Sequence, residues 1–338
     1  MRATVTLVIA AFVSAALTRV FLALMTGRAV VAHENERTMH KGRIPVGAGW
    51  PVLVAALCVA LVLWPVTKVH ASLLPWIAVL ALVSWADDVN TLSPAVRFPI
   101  HIVAVLASLF ALPEQTAIFG GALPLVADRL LAAFLLVWFV NLTNFMDGID
   151  GITGVETIAV AVGYVLVRSF LPGSSIEPLV GLMSATAGAA LGFLVWNWHP
   201  ARIFLGDVGA VPLGFIMGLA MIDLAIAGQP AAALILPLYY LADATITLLR
   251  RLARGETPWH AHREHFYQRA ALAAGSHTPV VMRIIACNAA LVASAALSLK
   301  APLIALPVAI AAVGALLASL AAMARSAPAA SAVPSSTS

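Results

Sequence analysis

Long apolar blocks follow one another along this sequence from one end to the other, and polar residues are confined to short stretches between them. About 20 apolar residues in a helix are needed to cross a bilayer, and apolar runs of this length without strand-like alternation indicate helices. The pattern therefore predicts an all-α fold, a polytopic transmembrane bundle of about 11 (10–11) helices. The predicted spans are 3–25, 50–66, 73–87, 98–112, 130–146, 153–171, 177–197, 208–227, 231–250, 281–299 and 302–323.

The composition agrees with a membrane-embedded chain. Of the 338 residues, 62% are hydrophobic and 10% are charged, whereas soluble domains have roughly 25% charged residues. We expect residues 1–324 to form a single membrane domain. The remaining residues, 325–338, are rich in Ala, Ser and Pro and are predicted to be a disordered tail. Cys58 and Cys287 lie far apart in apolar blocks, which is typical of buried small side chains.

The basic residues predict the orientation of the bundle. With the N-terminus on the periplasmic side, thirteen Lys and Arg residues fall in cytoplasmic loops and five on the outer side. Cytoplasmic loops are enriched in Lys and Arg, so this N-out arrangement is favoured. The same loops explain the net charge of +4. Nucleic-acid binding is not expected, because the chain has no soluble basic module.

Aspartates gather on the cytoplasmic side in this topology, although the orientation was derived from Lys and Arg alone. Asp87 and Asp88 end the third span, Asp147 and Asp150 follow the fifth, and Asp207 precedes the eighth. Two adjacent carboxylates repel one another and need a cation. Oxygen ligands in a site that handles phosphate favour Mg²⁺. Helix capping is the alternative, and it stays open for Asp207 in particular.

Two segments combine carboxylates with glycines or amides. Residues 141–151 close an apolar helix with Asn, Asp and Gly, a density that an ordinary loop does not need. The stretch Gly206-Asp207-Val-Gly209 lies at a helix start, where free backbone N–H groups attract phosphate. The predicted substrate-binding residues in the first segment are Asn141, Asn144, Asp147 and Asp150.

Two basic loops complete the candidate site. The loop 250–269 carries arginines that the positive-inside rule explains, and closely spaced histidines that it does not. His262, Arg263 and His265 are predicted to bind phosphate; a zinc site there has no Cys or paired acid to support it. In the loop 33–49, His40 and Arg43 are candidates for an anionic lipid head group.

The order and spacing of five motifs resemble the polyprenyl-phosphate N-acetylhexosamine-1-phosphate transferase family, also called glycosyltransferase family 4. The resemblance extends roughly from residue 28 to residue 270. The motifs are Asn35…Arg37…His40…Pro45-Val-Gly47, Asp87-Asp88, Asn141-x-x-Asn144-x-x-Asp147-Gly-x-Asp150-Gly, Gly206-Asp207-x-Gly209-x-x-Pro-Leu-Gly214 and the loop from Pro237 and Asp243 to His265.

The resemblance implies a transferase of the bacterial inner membrane with a cytoplasmic site that requires Mg²⁺ or Mn²⁺. The implied reaction moves a sugar phosphate from a UDP-N-acetylhexosamine-type nucleotide to undecaprenyl phosphate and releases UMP. Whether the chain forms a homodimer is left open. The implied catalytic residues are Asp87, Asp88, Asp207 and His265, and the three aspartates are the implied metal ligands. The implied substrate-binding residues are Asn141, Asn144, Asp147, Asp150, His40, Arg43, His262 and Arg263.

Three departures from the family pattern bear on the substrate. Asn90 and Thr91 stand where MraY-type members have a Lys after the acidic pair, and Ala48 interrupts the usual run of glycines. The loop at 262–268 is similar to that of WecA/WbpL-type O-antigen initiators. We therefore expect an enzyme that initiates a cell-surface glycan rather than MraY activity.

Two other classes of membrane protein remain to be weighed. A transporter or channel with an acidic cation site would also have many spans, but its acids would lie near the midplane and internal repeats are expected. A CDP-alcohol phosphotransferase would carry an Asp-Gly…Ala-Arg signature, which the sequence does not contain.

Overall fold

The computed structural model describes residues 1–25, 44–65, 68–171, 177–257 and 262–326. Within these ranges the regular structure is helical, apart from an isolated bridge between Val46 and Phe204. The predicted sites His40 and Arg43 and nearly all of the predicted tail lie outside the described residues. The helices are α1 Arg2–Met25, α2 Gly49–Leu63, α3 Lys68–Asn90, α4 Pro94–Phe110, α5 Leu125–Met146, α6 Ile152–Ser169, α7 Glu177–Asn197, α8 Asp207–Ile226, α9 Pro230–Ile235, α10 Leu238–Ala253, α11 Phe266–Ala274, α12 Thr278–Ser298 and α13 Pro302–Arg325.

The predicted helical membrane bundle is confirmed. In the described ranges, eight helices are long and apolar enough to cross a bilayer, and α2 and α4 are shorter apolar helices. The expected number of eleven spans and the N-out orientation stay predictions, because length and composition alone do not establish how each helix lies in a membrane.

The structure differs from the predicted spans between residues 230 and 275. The predicted span 231–250 is divided into α9 and α10 at Pro237, which lacks a backbone N–H and therefore favours a helix boundary. The short helix α11 was not predicted, because its nine residues form no apolar block. His265 and Gln268 form a capping box at its start, and that pairing is the signal in the sequence that indicates it.

Helix α8 lies at the centre of the bundle. It packs against α2, α3, α5, α6 and α9. Of the residues in its most apolar stretch, 78% are buried inside the bundle, compared with 17% for α1. Its sequence is apolar on every side, as expected of a helix surrounded by other helices. The first residue of α8 is Asp207, so this predicted site residue lies at one end of the bundle, at the start of its central helix.

The segment that precedes α8 is held by the segment that precedes α2. The Phe204 N–H donates to the Pro45 carbonyl at 2.9 Å, and the Ala48 and Gly49 N–H groups donate to the carbonyls of Phe204 and Leu205 at 3.0 and 2.9 Å. A Cβ on Gly49 would lie 2.3 Å from the backbone nitrogen of Gly209, so the two helix starts touch backbone to backbone. Only glycine permits this approach.

Candidate functional site

Two aspartates from different helices share one guanidinium. Arg97, in the first turn of α4, contacts the Oδ2 atom of Asp87 near the end of α3, and its Nη1 lies 3.1 Å from Asp207 Oδ2. Asp87 also accepts a hydrogen bond from the Leu92 backbone, and its side chain is buried. Asp207 is 29% exposed. The guanidinium therefore neutralises part of a carboxylate cluster that ligands can reach.

Asp88 caps the central helix. Its two carboxylate oxygens accept the backbone N–H groups of Asp207 and Val208 at 2.9 and 3.0 Å. The first N–H groups of a helix have no partner within the helix, and a carboxylate there is also favoured by the helix dipole. Gly206 makes room for this contact: its φ is +77°, and a Cβ on it would lie 2.7 Å from Asp88 Oδ2.

The two asparagines that were predicted to bind substrate lie at the end of α5 and differ in their contacts. The Asn144 side-chain amide donates to Asp207 Oδ2 at 3.2 Å, so it belongs to the carboxylate cluster. The Asn141 amide, one turn earlier, donates to the Val137 carbonyl at 2.7 Å and contacts His101 of α4. Asn141 therefore borders the cluster without a hydrogen bond to its carboxylates among the described contacts.

Asp147 follows α5 directly and lies near the same charges. Burial raises the pKa of its carboxyl to about 7; the negative charges of Asp88 and Asp150 act in the same direction, and a hydrogen bond from Thr153 opposes them. Just before it, the Phe145 carbonyl accepts a hydrogen bond from the Tyr267 hydroxyl at 3.2 Å. The loop after α5 is thus held against the start of α11.

The predicted histidine loop leads into α11 through a buried aspartate. Asp243 of α10 accepts the backbone N–H groups of Phe266 and Tyr267 at 3.0 and 3.3 Å, and its Oδ1 lies 3.3 Å from His265 Nδ1. His265 is buried, and the ring of His262 lies 4.9 Å from its ring. Asp243 fixes His265 in place.

Arg263, between these two histidines in the chain, is half-buried. His262 and Glu264 are likewise only partly covered, and Glu264 pairs with Arg254.

Asp150 is not part of the carboxylate cluster. Its carboxylate is fully buried, and its Oδ2 lies 2.7 Å from His199 Nδ1 and 3.3 Å from His277 Nδ1. The same oxygen accepts the Ala201 N–H at 3.0 Å. The structure thus brings Asp87, Asp88, Asn144 and Asp207 together with Arg97, and places the Asp150 side chain in a separate cluster with two histidines.

The residues of the carboxylate cluster fit a divalent metal ion. Three carboxylates against one guanidinium leave two negative charges in excess, and Mg²⁺ prefers oxygen ligands. Asp207 is the strongest candidate for a direct ligand, because it is more exposed than Asp87; both oxygens of Asp87 and both of Asp88 accept hydrogen bonds that a bound ion would have to share. Asp88 is better placed to orient Asp207.

The sequence does not predict several of these contacts. Arg97 belongs to none of the sequence motifs; Pro94, which starts α4, is the signal that the chain turns back there. His199 and His277 have no spacing that relates them to Asp150, because the three residues come from separate loops.

Comparisons with known proteins find one matching family and several relatives. Residues 70–225 match the family described as Glycosyl transferase family 4. The chain is 28% identical over 268 residues to a phospho-N-acetylmuramoyl-pentapeptide-transferase of Streptococcus thermophilus, covering 69% of this chain and 77% of that protein. It is 45% identical over 89 residues to the protein of the same name from Moorella thermoacetica, covering 26% and 27% of the two chains.

These similarities support the predicted resemblance to glycosyltransferase family 4, and they indicate that the protein is a phosphosugar transferase. With eight candidate membrane spans among the residues that the structure describes, the chain is a multi-pass protein of the bacterial inner membrane, as the sequence predicts. These similarities do not show a closer relation to the O-antigen initiators.

Proposed function

We propose that the protein transfers an N-acetylhexosamine 1-phosphate from a UDP-sugar to undecaprenyl phosphate and releases UMP. One observation carries the proposal: carboxylates from the end of α3 and the start of α8 meet around the guanidinium of Arg97, and the Asn144 amide from the end of α5 joins them. The cluster lies at the ends of membrane helices, where a water-soluble nucleotide and a lipid phosphate can both arrive.

The chemistry requires that two anions approach one another. The reaction exchanges one phosphoanhydride for another, so positioning and charge neutralisation supply most of the catalysis. Mg²⁺ or Mn²⁺ held by Asp207 and Asp87 would neutralise the diphosphate of the nucleotide and stabilise the leaving UMP. Arg97 adds a positive charge that an incoming phosphate can share with the two carboxylates.

The remaining residues have roles that follow from their contacts. Asp88 holds the start of α8, which orients the Asp207 carboxylate. We assign the removal of a proton from the lipid phosphate to Asp87 or Asp88; in each of them both carboxylate oxygens already accept hydrogen bonds. Direct attack of the lipid phosphate on the sugar-bearing phosphorus is the simplest course for this arrangement.

The two loops beside the cluster would hold the nucleotide and its phosphates. Asn144 and Asp147 lie where the nucleotide would approach Asp207, and Asn141 borders them. Arg263 and His262 are partly exposed on the loop that Asp243 and His265 anchor, which suits them to a phosphate. The same role is proposed for His40 and Arg43 toward the lipid head group.

For the donor sugar, we propose an N-acetylhexosamine used to initiate a cell-surface glycan such as O-antigen. This rests on Asn90 and Thr91, which replace the Lys of MraY-type members, and on the form of the loop 262–268. Transfer of phospho-N-acetylmuramoyl-pentapeptide is the second candidate, since the similar proteins carry that name.

A panel of donors tests the proposal and separates the two candidates. The purified protein is mixed with undecaprenyl phosphate, Mg²⁺ and one of several UDP-sugars, including UDP-N-acetylmuramoyl-pentapeptide, and the lipid product is identified by mass spectrometry. We expect UMP release and a sugar-diphospholipid with a UDP-N-acetylhexosamine. A product from the pentapeptide donor alone would support the second candidate. Solute flux in liposomes without UMP release from any donor would favour a transporter instead.

A further inference from the structure

Outside the carboxylate cluster, a second group of potential metal ligands comes from three separate loops. Asp150 follows α5, His199 follows α7 and His277 precedes α12, and their ligand atoms all lie within 4.8 Å of one another. The two imidazole rings are 4.6 Å apart and tilted by 45°, so they converge on the carboxylate from two sides. Asp150 is fully buried, His277 is 5% exposed and His199 is 27% exposed.

Two hydrogen-bond acceptors face one another in this group, His277 Nδ1 and Asp150 Oδ2. The Asp150 backbone N–H donates to His277 Nδ1 at 3.1 Å, so this nitrogen presents a lone pair. The same nitrogen lies 3.3 Å from Asp150 Oδ2, which is also an acceptor. One ring nitrogen cannot accept the amide hydrogen and donate to the carboxylate at once. The nitrogen has one lone pair, so a cation bound there would take the place of the amide hydrogen bond and neutralise the two facing acceptors.

The geometry points to a site for a divalent transition-metal ion, Zn²⁺, whose protein ligands are Asp150 Oδ2, His199 Nδ1 and His277 Nδ1. Imidazole nitrogens and one carboxylate are a ligand set of zinc and related ions, whereas the all-oxygen carboxylate cluster suits Mg²⁺. Tetrahedral zinc with bonds of about 2.0–2.1 Å places its ligand atoms about 3.3–3.4 Å apart. The 3.3 Å separation at His277 has this value, and the 2.7 Å separation at His199 needs a small widening.

The site would fasten three segments that surround the carboxylate cluster. Asp150 ends the loop that carries Asn144 and Asp147, and the chain runs from His199 to Asp207 in a few residues. His277 follows α11, whose first turn is held by Asp243. The partial exposure of His199 gives the ion a route of entry and leaves room for a water molecule as fourth ligand. The zinc site is thus structural and distinct from the site of transfer.

Metal content of the full-length protein tests the assignment. The protein is purified in detergent without metal-affinity chromatography and dialysed against metal-free buffer, and zinc is measured by inductively coupled plasma mass spectrometry. We expect about one zinc ion per chain in the wild type and about a tenfold lower content in His199→Ala and His277→Ala, as for loss of a ligand. Asp207→Asn is the matched control, because it alters the other cluster and is expected to keep its zinc.

A second measurement uses only the wild-type protein, so it does not require that any variant folds. Wild-type protein stripped with a chelator is reloaded with Co²⁺ alone, and we expect visible absorption bands of tetrahedral cobalt that disappear when Zn²⁺ is added. The reloaded protein should also unfold at a higher temperature than the stripped protein.

Two results would overturn the proposal. One is a wild type that holds no zinc and gives neither cobalt bands nor a thermal shift. The other is zinc that persists unchanged in both histidine variants. Because none of these readouts uses the transferase reaction, the zinc site can fail while the proposed function stands, and the reverse is equally possible.

Discussion

The two ends of helix α8 carry aspartates in opposite situations. Asp207, at the start, is 29% exposed and adjoins two further carboxylates with one guanidinium among them. Asp223, 16 residues and roughly 24 Å along the helix, is 4% exposed, lies 3.2 Å from Arg168 Nε and accepts the Tyr164 hydroxyl at 2.6 Å. The negative charge of Asp223 is therefore balanced by Arg168 inside the protein.

This difference separates a site from a structural contact on one helix. Buried ionic groups that are paired and hydrogen-bonded need no further partner, whereas excess negative charge that ligands can reach attracts a cation. The sequence predicts Asp223 inside the apolar helix and Asp207 just before it, and it marks Asp207 by its neighbouring glycines and by its predicted place on the same side of the membrane as the other aspartates. The contacts of each carboxylate decide which of them is available for chemistry.

The largest expected effect comes from removing the charge of Asp207. Asp207→Asn should lower UMP release by at least about 10²–10³-fold, because a group that holds charge in the transition state is lost. The thermal unfolding temperature should change little. Glu114→Gln, which removes one charge from an exposed loop residue, is the matched control and should keep full turnover. Normal turnover of Asp207→Asn at saturating Mg²⁺ would contradict the proposed function.

At the other end of α8, the expected effect is on stability. Asp223→Asn should lower the free energy of unfolding in detergent by about 3 kcal/mol or more, because it leaves Arg168 buried without its counter-ion. Turnover per folded molecule should stay near that of the wild type. Replacing both partners by apolar residues, as in Arg168→Met with Asp223→Leu, should recover most of the loss. A large fall in turnover per folded molecule would mean that this end also takes part in the reaction.

Glycines that flank α8 allow a matched pair of substitutions. Gly206 and Gly228 both have φ near +77°, but a Cβ at position 206 meets Asp88 whereas one at position 228 meets nothing within 4 Å. Gly228→Ala should cost about 1–2 kcal/mol of backbone strain alone. Gly206→Ala should cost more, because a ψ of 169° at this φ is a conformation essentially restricted to glycine, and it should also lower turnover about tenfold or more, since a group that positions the site is displaced. Equal losses of turnover would argue against the capping role of Asp88.

The smallest expected effect concerns the dependence of stability on pH. The pKa of Asp147 is raised to about 7 in the folded protein by burial, from a value of 3.8. The folded state therefore holds a proton that the unfolded state releases, and this contribution is complete below about pH 4 and lost as the pH rises through about 7. Thermal unfolding measured across that range should decline more for the wild type than for Asp147→Asn. Identical slopes would show that folding does not raise the pKa of Asp147.

Much of the fold follows from the sequence, because apolar blocks of helical length have few alternatives in a bilayer. The convergence of Asp87, Asp88 and Asp207 also follows, since all three end or start spans on one predicted side. What could not be predicted are contacts that depend on how loops are packed, such as Arg97 between Asp87 and Asp207.

Asp150 illustrates the same limit. Its motif gives it the same apparent role as Asp147, three residues earlier, but the structure pairs Asp150 with His199 and His277, whereas Asp147 accepts a hydrogen bond from Thr153. Periodicity describes which face of a helix is apolar, but it carries no information about the direction of a carboxylate in a glycine-rich loop.

The backbone contact between Gly49 and Gly209 has a mechanical consequence. With no side chains at that seam, the starts of α2 and α8 cannot slide past one another without steric overlap, and they should move as one rigid block. Any opening that admits a lipid tail must then be hinged elsewhere, and the α9–α10 break at Pro237 is a joint outside the block that could accommodate it.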